Sequence, residues 1–346
     1  MSREVLVPPE TVGRWVEGVR PPVAVTGGTG FVGSHLVETL VAAGHRPRVL
    51  VRDLSGPRWI AGLEVEWLEG DLGNDAALER LVDGAGTVFH LAGVVRAGSS
   101  ELFREANARG TARLAAAFAS RGAPEGRFVY VSSLAAVGPS SGIEGVGPEA
   151  EPRPISAYGR SKLEGEVEVR RVLAGRRWII LRPPAIYGPR DVDILEFFRL
   201  AARGLVPIPS GERWLTLAHV ADVVRAVLAA AQREAPVGRV LHLGEPRPYR
   251  MEAVVRLLAD AGGVPARILR VPAPLVRLVG FGGTVLQRVG FRKVAMTADK
   301  AREMLARHWT SRTADSLQAL GIHEWIEFHE GARETWAWYR ERGWVR

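Results

Sequence analysis

One stretch, Thr26-Gly27-Gly28-Thr29-Gly30-Phe31-Val32-Gly33, constrains this chain more than any other. It follows Val23-Ala24-Val25, an apolar run short enough to be a buried strand, and leads into the helix-like stretch Phe31–Ala43. The first glycine of such a turn permits a bend too tight for a side chain, and the second lets another group approach the backbone. The third lets helix and strand pack closely. A strand that turns directly into a helix opens a βα unit, and repeated βα units build a parallel sheet covered by helices. Glycine itself is common here, 39 of 346 residues, so the weight lies in the strand before the turn and the helix after it.

The pattern continues along the chain. Arg48–Val51, Val65–Leu68, Val88–Leu91, Arg127–Ser132 and Trp178–Leu181 read as further strands. Asn107–Arg121 and Ala157–Leu173 read as helices, and Leu134–Ser156 as a loop rich in Gly, Pro and Ser. The fold class is therefore α/β, a Rossmann-type doubly wound parallel sheet with a smaller, mainly C-terminal α+β substrate domain. Residues 1–21 read as an N-terminal extension, 22–187 as the dinucleotide-binding domain with 214–246 partly returning to it, and 188–346 as mainly substrate-binding. In that last part helices are expected at Asp193–Arg203, Val220–Gln232, Met251–Ala261 and Glu330–Arg342, with short strands at Leu215–Leu217 and Val240–Leu243. The region 264–292 is unusually apolar and punctuated by glycine; it reads as a wall or lid for a lipophilic substrate, as ordinary core, or as a dimer face.

Composition excludes several classes. With no cysteine, the chain has no disulfide scaffold, thiolate metal site or cysteine nucleophile, and nothing calls for a metal. Charges interrupt every apolar run before a spanning length of roughly 20 residues, so no integral membrane segment is expected. The N-terminus carries Glu4, Glu10 and Glu17 without an apolar signal core, which points to a cytoplasmic protein. The net charge of +8 comes from an arginine-dominated set of bases, since only Lys162, Lys293 and Lys300 are lysines. The arginines run from Arg3 to Arg346, usually near an acid, rather than gathering on one stripe, so no nucleic-acid partner is expected.

Against this background four groups of residues carry chemistry. The glycine turn, with Gly27, Thr29, Gly30, Phe31 and Val32 as contacts, opens a helix whose N-terminus favours a pyrophosphate. Arg52 and Asp53 follow the second strand. An acid there suits the ribose 2′-hydroxyl of NAD and an arginine the 2′-phosphate of NADP, so NADP(H) is favoured if Arg52 faces the ribose, and NAD(H) is the alternative. Asp71, with Leu72, is placed to accept from an adenine amino group, and Leu91-Ala92-Gly93 offers a small-residue floor. His90 beside that floor reads as a packed histidine rather than a catalyst. Finally, Tyr158-Gly159-Arg160-Ser161-Lys162 opens a helix, so Tyr158 and Lys162 share a face. A tyrosine that handles a proton near neutrality needs its phenolate stabilised; a lysine one turn away supplies that field and can hold a ribose. Ser133 just past the fifth strand can polarise a carbonyl. Any given position would hold one of three lysines about once in a hundred, so this spacing is informative.

Taken together the chain resembles the extended short-chain dehydrogenase/reductases, the NAD-dependent epimerase/dehydratase group, over about residues 22–260. The matching motifs are TGGTGFVG (26–33), GDL (70–72), HLAG (90–93), Asn107 with Gly110-Thr111, VSS (131–133), YGRSK (158–162), RPPAIYGP (182–189) and HVADVV (219–224), and the closing Trp338-Tyr339-Arg340 helix is also similar. The resemblance implies Tyr158 as general acid/base, Lys162 lowering its pKa and binding ribose, Ser133 as the third catalytic member, and Pro183, Ala185 and Ile186 lining the nicotinamide pocket. It makes Asn107 a brace for the fourth strand and implies a homodimer. Within the group two activities compete for a small-molecule substrate. One is an NADP(H)-dependent reductase or dehydrogenase acting on a ketone or secondary alcohol, as in the dihydroflavonol-reductase and 3β-hydroxysteroid-dehydrogenase branches. The other is a nucleotide-sugar epimerase or dehydratase that retains its cofactor. A cofactor-binding protein with a regulatory or assembly role is a third reading, disfavoured because Ser133, Tyr158 and Lys162 are all present. Sugar-nucleotide enzymes commonly place an arginine for the diphosphate just before the H-V-x-D motif. Here Leu215-Thr216-Leu217-Ala218 stands in that place and Arg213 lies two residues early, which tilts the reading toward the reductase.

Overall fold

The computed structural model describes residues 5–54, 59–289, 291, 294 and 296–345. Its centre is a seven-stranded sheet of β1 (Val23–Thr26), β2 (Arg48–Val51), β3 (Glu66–Glu69), β4 (Thr87–His90), β5 (Arg127–Val131), β6 (Arg177–Arg182) and β7 (Arg239–His242). The spatial order is β7-β6-β5-β4-β1-β2-β3 and every pairing is parallel. Strand order reverses between β1 and β4, so the glycine turn after β1 opens onto the crevice where ligands bind in such sheets.

Burial on both faces follows from the alternation of apolar side chains along each strand. Val25, Val49, Val129 and Ile179 point to one face, under helices α1 (Phe31–Ala42) and α5 (Val220–Ala229). Ala24, Leu50, Phe128 and Ile180 point to the other, under α2 (Asp75–Val82), α3 (Gly110–Arg121) and α4 (Ala157–Val172). The N-terminal helical turns Pro9–Val12 and Arg14–Glu17 bury Val12 and Val16 in the first of these cores. A third core gathers Tyr187, Phe198, Val206, Leu258, Phe328 and Trp336 from the C-terminal half, closed by α8 (Phe328–Glu341).

Several elements differ from the sequence reading. The helix expected from Asn107 begins as a five-residue π-turn, Glu105–Arg109, before α3. The strand Leu215–Leu217 divides into Trp214–Leu215 and Leu217–His219, the latter parallel to Ala185–Tyr187. A two-stranded parallel ribbon of Leu205–Pro209 and Arg267–Val271 was hidden because Pro207 and Pro209 argue against a strand and survive only in a ribbon with open edges. The apolar region beyond it forms α6 (Ala273–Arg288), which packs against α7 (Ala298–Leu305). No helix among the described residues is long and apolar enough to cross a membrane.

Candidate active site

The glycine turn is shaped by contacts that admit no side chain. Gly27 has φ +73°, and a Cβ there would lie 2.5 Å from Ala92 N. A Cβ on Gly33 would lie 2.1 Å from the Gly27 carbonyl oxygen, so α1 sits directly on the turn. Gly30 is the N-cap of α1 and no side chain caps that end. The first amides of α1 therefore find no side-chain cap among the described residues, and Thr29 and Gly30 beside them are exposed. This cradle fits a dinucleotide pyrophosphate. Gly33→Ala is expected to raise the dissociation constant for nicotinamide dinucleotide at least ~10-fold through overpacking; calorimetric titration measures it.

The neighbouring strand ends bring the other binding candidates into line. Arg52 is exposed one residue beyond β2, whose Leu50 pairs with Thr26 of β1; Asp53 is also exposed. Asp71 follows β3 at the surface, with its Oδ1 accepting from Gly73 N at 2.8 Å. Leu72 packs on α3, where a Cβ at Gly110 would lie 2.8 Å from its own Cβ. Leu91 N donates to the Thr26 carbonyl, holding Leu91-Ala92-Gly93 against the turn. His90 is fully enclosed. Its ring nitrogens meet Thr26 Oγ1 at 2.6 Å and Thr111 Oγ1 at 2.8 Å, and burial, with Lys162 nearby, pushes its pKa down to about 3. It is a neutral tie between strand and helix.

On the other side of the crevice, Ser156 caps α4 by accepting from Gly159 N at 3.1 Å, which fixes Tyr158 in the first turn. The Tyr158 ring is half-buried and leans on Phe103 at 6.1 Å. Burial pushes its hydroxyl up to about 12; hydrogen bonding by Ser133 works against this, and Glu303 and Asp193 add to it. Ser133 also accepts from Ala135 N at 3.1 Å, and Leu134 N donates to the Pro183 carbonyl at 2.8 Å. That bond holds Pro183 next to the serine; beyond it Ala185 is exposed and Ile186 half-buried, paired with Leu217 and Ala218.

Lys162 is buried, with Nζ donating to the Val131 carbonyl at 2.8 Å and lying 4.5 Å from the Tyr130 ring centre. A Cβ on Gly93 would be 3.4 Å from Nζ, so the lysine reaches the floor beneath the crevice. Burial lowers its pKa to about 7, with Glu166 opposing. Helical spacing assigns Lys162 to lowering the Tyr158 pKa; in this structure its Nζ donates to Val131, and burial is the largest influence on the phenol. Asn107 holds the chain after β4: its Oδ1 accepts from Val94 N at 2.8 Å, and its Nδ2 donates to Val94 O at 3.0 Å and Ser161 Oγ at 2.9 Å.

Behind Lys162 lies a network the sequence reading missed. Arg182 donates to Glu166 twice, Nε to Oε1 at 2.8 Å and a terminal nitrogen to Oε2 at 2.6 Å, with both side chains buried. Ser132 Oγ adds a bond to Glu166 Oε1 at 2.6 Å, and Arg182 also meets His242 of β7 at 3.4 Å. A signal was available: Tyr158, Lys162 and Glu166 repeat at four-residue spacing on one helix face.

Comparison with known proteins agrees with this geometry. Residues 23–244 match the profile of the NAD dependent epimerase/dehydratase family. A ceramide reductase of Caulobacter vibrioides is 37% identical over 330 residues, 94% of this chain and 96% of that protein. A 3 beta-hydroxysteroid dehydrogenase/Delta 5-->4-isomerase of Mycobacterium tuberculosis is 30% identical, covering 78% of this chain and 76% of its own length. Among solved structures, MoeE5 in complex with UDP-glucuronic acid and NAD superimposes with TM-score 0.75 at 26% identity, over 92% of this chain and 99% of that one. The chain belongs to the NAD-dependent epimerase/dehydratase family of extended short-chain dehydrogenase/reductases and is an NAD(P)-dependent oxidoreductase of that superfamily.

Proposed function

We propose that the protein is an NADP(H)-dependent reductase or dehydrogenase that interconverts a ketone and a secondary alcohol on a lipophilic small molecule. The carrying observation is the state of Arg213. Its guanidinium donates to four carbonyl oxygens, those of Met304, Pro209, Ser210 and Gly211, at 2.6 to 3.1 Å, and the side chain is buried. The arginine that comes nearest in sequence before the place where a sugar-nucleotide enzyme grips a diphosphate is thus committed to its own loop and to the end of α7. The likeness to a ceramide reductase and a hydroxysteroid dehydrogenase supports the same substrate class. The second reading, a nucleotide-sugar epimerase or dehydratase retaining its cofactor, draws on the neighbour that holds UDP-glucuronic acid.

In the proposed mechanism the bound nicotinamide supplies or accepts the hydride. Gly27, Thr29, Gly30, Phe31 and Val32 hold the pyrophosphate, Asp71 and Leu72 the adenine, and Leu91, Ala92 and Gly93 the floor. Lys162 and Tyr158 hold the nicotinamide ribose, and Pro183, Ala185 and Ile186 line the ring's pocket. Ser133 hydrogen-bonds the substrate oxygen. Tyr158 gives its proton to that oxygen in reduction, a role suited to a phenol that burial keeps protonated.

The test is turnover by purified protein. A ketosteroid or a ceramide-type ketone in mixed micelles should consume NADPH in stoichiometric amount, and nucleotide sugars should not react. Conversion of a nucleotide sugar without net change in reduced cofactor would replace this reading by the second. Arg52→Asp is expected to shift the NADP-to-NAD preference at least ~10-fold toward NAD, because a 2′-phosphate would face an acid instead of a guanidinium. An unchanged ratio would mean that Arg52 faces solvent.

A further inference from the structure

Helix α6 is apolar on the wrong side for a helix bounded by water. Its inward face is made of small residues: a Cβ on Gly280 would lie 2.6 Å from Ala301 Cβ of α7, and one on Gly283 would lie 1.8 Å from the Met296 carbonyl oxygen. Apart from the buried Val276, its large apolar residues point outward. Leu278 and Phe281 are each 65% exposed, and Leu275, Val279, Val285 and Leu286 are exposed with them. At 100° per residue these six fall within one broad arc opposite Gly280 and Gly283. Leu269 on the preceding strand and Val289 after the helix extend the apolar surface. An amphipathic helix of a water-soluble surface has the reverse arrangement.

Charge selects what covers this face. Between Asp260 and Asp299 the chain has no acidic residue, while Arg267, Arg270, Arg277, Arg288, Arg292 and Lys293 are all basic. Arg267 and Arg277 are exposed, and Arg270 pairs with Glu252 of the helix before. Over the segment whose apolar residues face outward, the sequence itself supplies bases and no acid. Two copies of this face would bring like charges together, whereas an anionic lipid surface satisfies both the apolar arc and its basic flanks.

The position of the helix adds a reason. Gln287 Nε2 donates to Ala97 O at 2.9 Å, in the segment that follows the Leu91-Ala92-Gly93 floor. Thr284 Oγ1 accepts from Ala298 N at 2.8 Å at the start of α7. From α7, Asp299 accepts from Ala157 N at 2.8 Å and Arg302 donates to Ile155 O at 3.0 Å, at the start of the helix that carries Tyr158. We propose that α6 docks the protein on the surface of an anionic lipid bilayer, its exposed Leu278–Phe281 arc entering the headgroup and acyl boundary, so that the active-site crevice lies beside the membrane. The inference goes beyond the catalytic reading and stands without it.

The test is co-sedimentation of the full-length protein with vesicles of phosphatidylcholine alone and of phosphatidylcholine mixed with phosphatidylglycerol. Binding should require the anionic lipid and weaken as salt is raised. The L278D/F281D variant should bind mixed vesicles at least ~10-fold more weakly. Its thermal unfolding and its turnover of a small water-soluble ketone should match those of the unaltered protein. The proposal is overturned if the unaltered protein stays in the supernatant with mixed vesicles, or if the variant sediments equally well. It is also overturned if the substitutions instead convert a dimer to a monomer in a protein that ignores vesicles. Vesicle binding without turnover of any lipophilic ketone would sink the catalytic reading and leave the docking surface in place.

Discussion

Replacing Tyr158 with phenylalanine is expected to reduce kcat by about 100- to 10,000-fold, the range spanned by loss of a general acid or base. The dissociation constant of the nicotinamide cofactor should stay within a few-fold of its original value. The substitution removes one oxygen and leaves the ring packed on Phe103, so the Ser156 cap and the start of α4 are undisturbed. Stopped-flow turnover and calorimetric cofactor titration measure the two quantities separately. Equal activity in the variant would remove Tyr158 from the mechanism. The pH profile adds a second check. Burial raises the phenol to about 12, so the proton-donating form persists through neutral and mildly alkaline solution. Reduction by the free enzyme should therefore lose nothing to the phenol's titration between about pH 7 and about pH 10, and a change centred near 7 reports Lys162, which burial lowers to about 7. The oxidative direction needs the phenolate and should rise with pH over the same interval.

The largest stability effect is expected at Arg182. The guanidinium and the Glu166 carboxylate are both buried and joined by two hydrogen bonds, with Ser132 satisfying the carboxylate further. Arg182→Met leaves the carboxylate buried without its principal counter-charge, and Arg170, which reaches it at 3.5 Å from a half-exposed position, is a weaker partner. Removing one member of a buried pair costs about 3–5 kcal/mol. Equilibrium urea unfolding should show that loss in the midpoint, and the double variant E166Q/R182M should recover most of it, since neither charge is then stranded. A single variant as stable as the parent would mean that water reaches Glu166.

The contrast between these two residues shows where the sequence is legible. Tyr158 and Lys162 announce themselves because each is rare here and because helical spacing converts four residues into one face. The glycine turn is legible for a related reason: only glycine tolerates the approach of Ala92 to Gly27 and of α1 to the turn. The seven parallel strands follow from short apolar runs alternating with helices, and all seven lie within one residue of where the pattern places them at both ends. The pairing of Arg182 is hidden for the opposite reason. The residue opens the motif RPPAIYGP, but nothing local says that this arginine is buried or that its partner lies sixteen residues earlier on a different element. Burial adds what spacing alone does not show, for Lys162 shares a face with Tyr158 and its Nζ bonds the Val131 carbonyl. The proline-containing ribbon and α6 were missed because their local patterns argue against strand and for core. Only the fold shows that Gly280 and Gly283 face inward while Leu278 and Phe281 face out.

The central claim, net hydride transfer to a lipophilic ketone, is tested most directly by isotope transfer from NADPH carrying deuterium at the reactive position of the nicotinamide. Each turnover should move the label onto the carbinol carbon of the product and release oxidised NADP in equal amount. Product formed from a nucleotide sugar, with the cofactor retained and its redox state unchanged at the end, would contradict it.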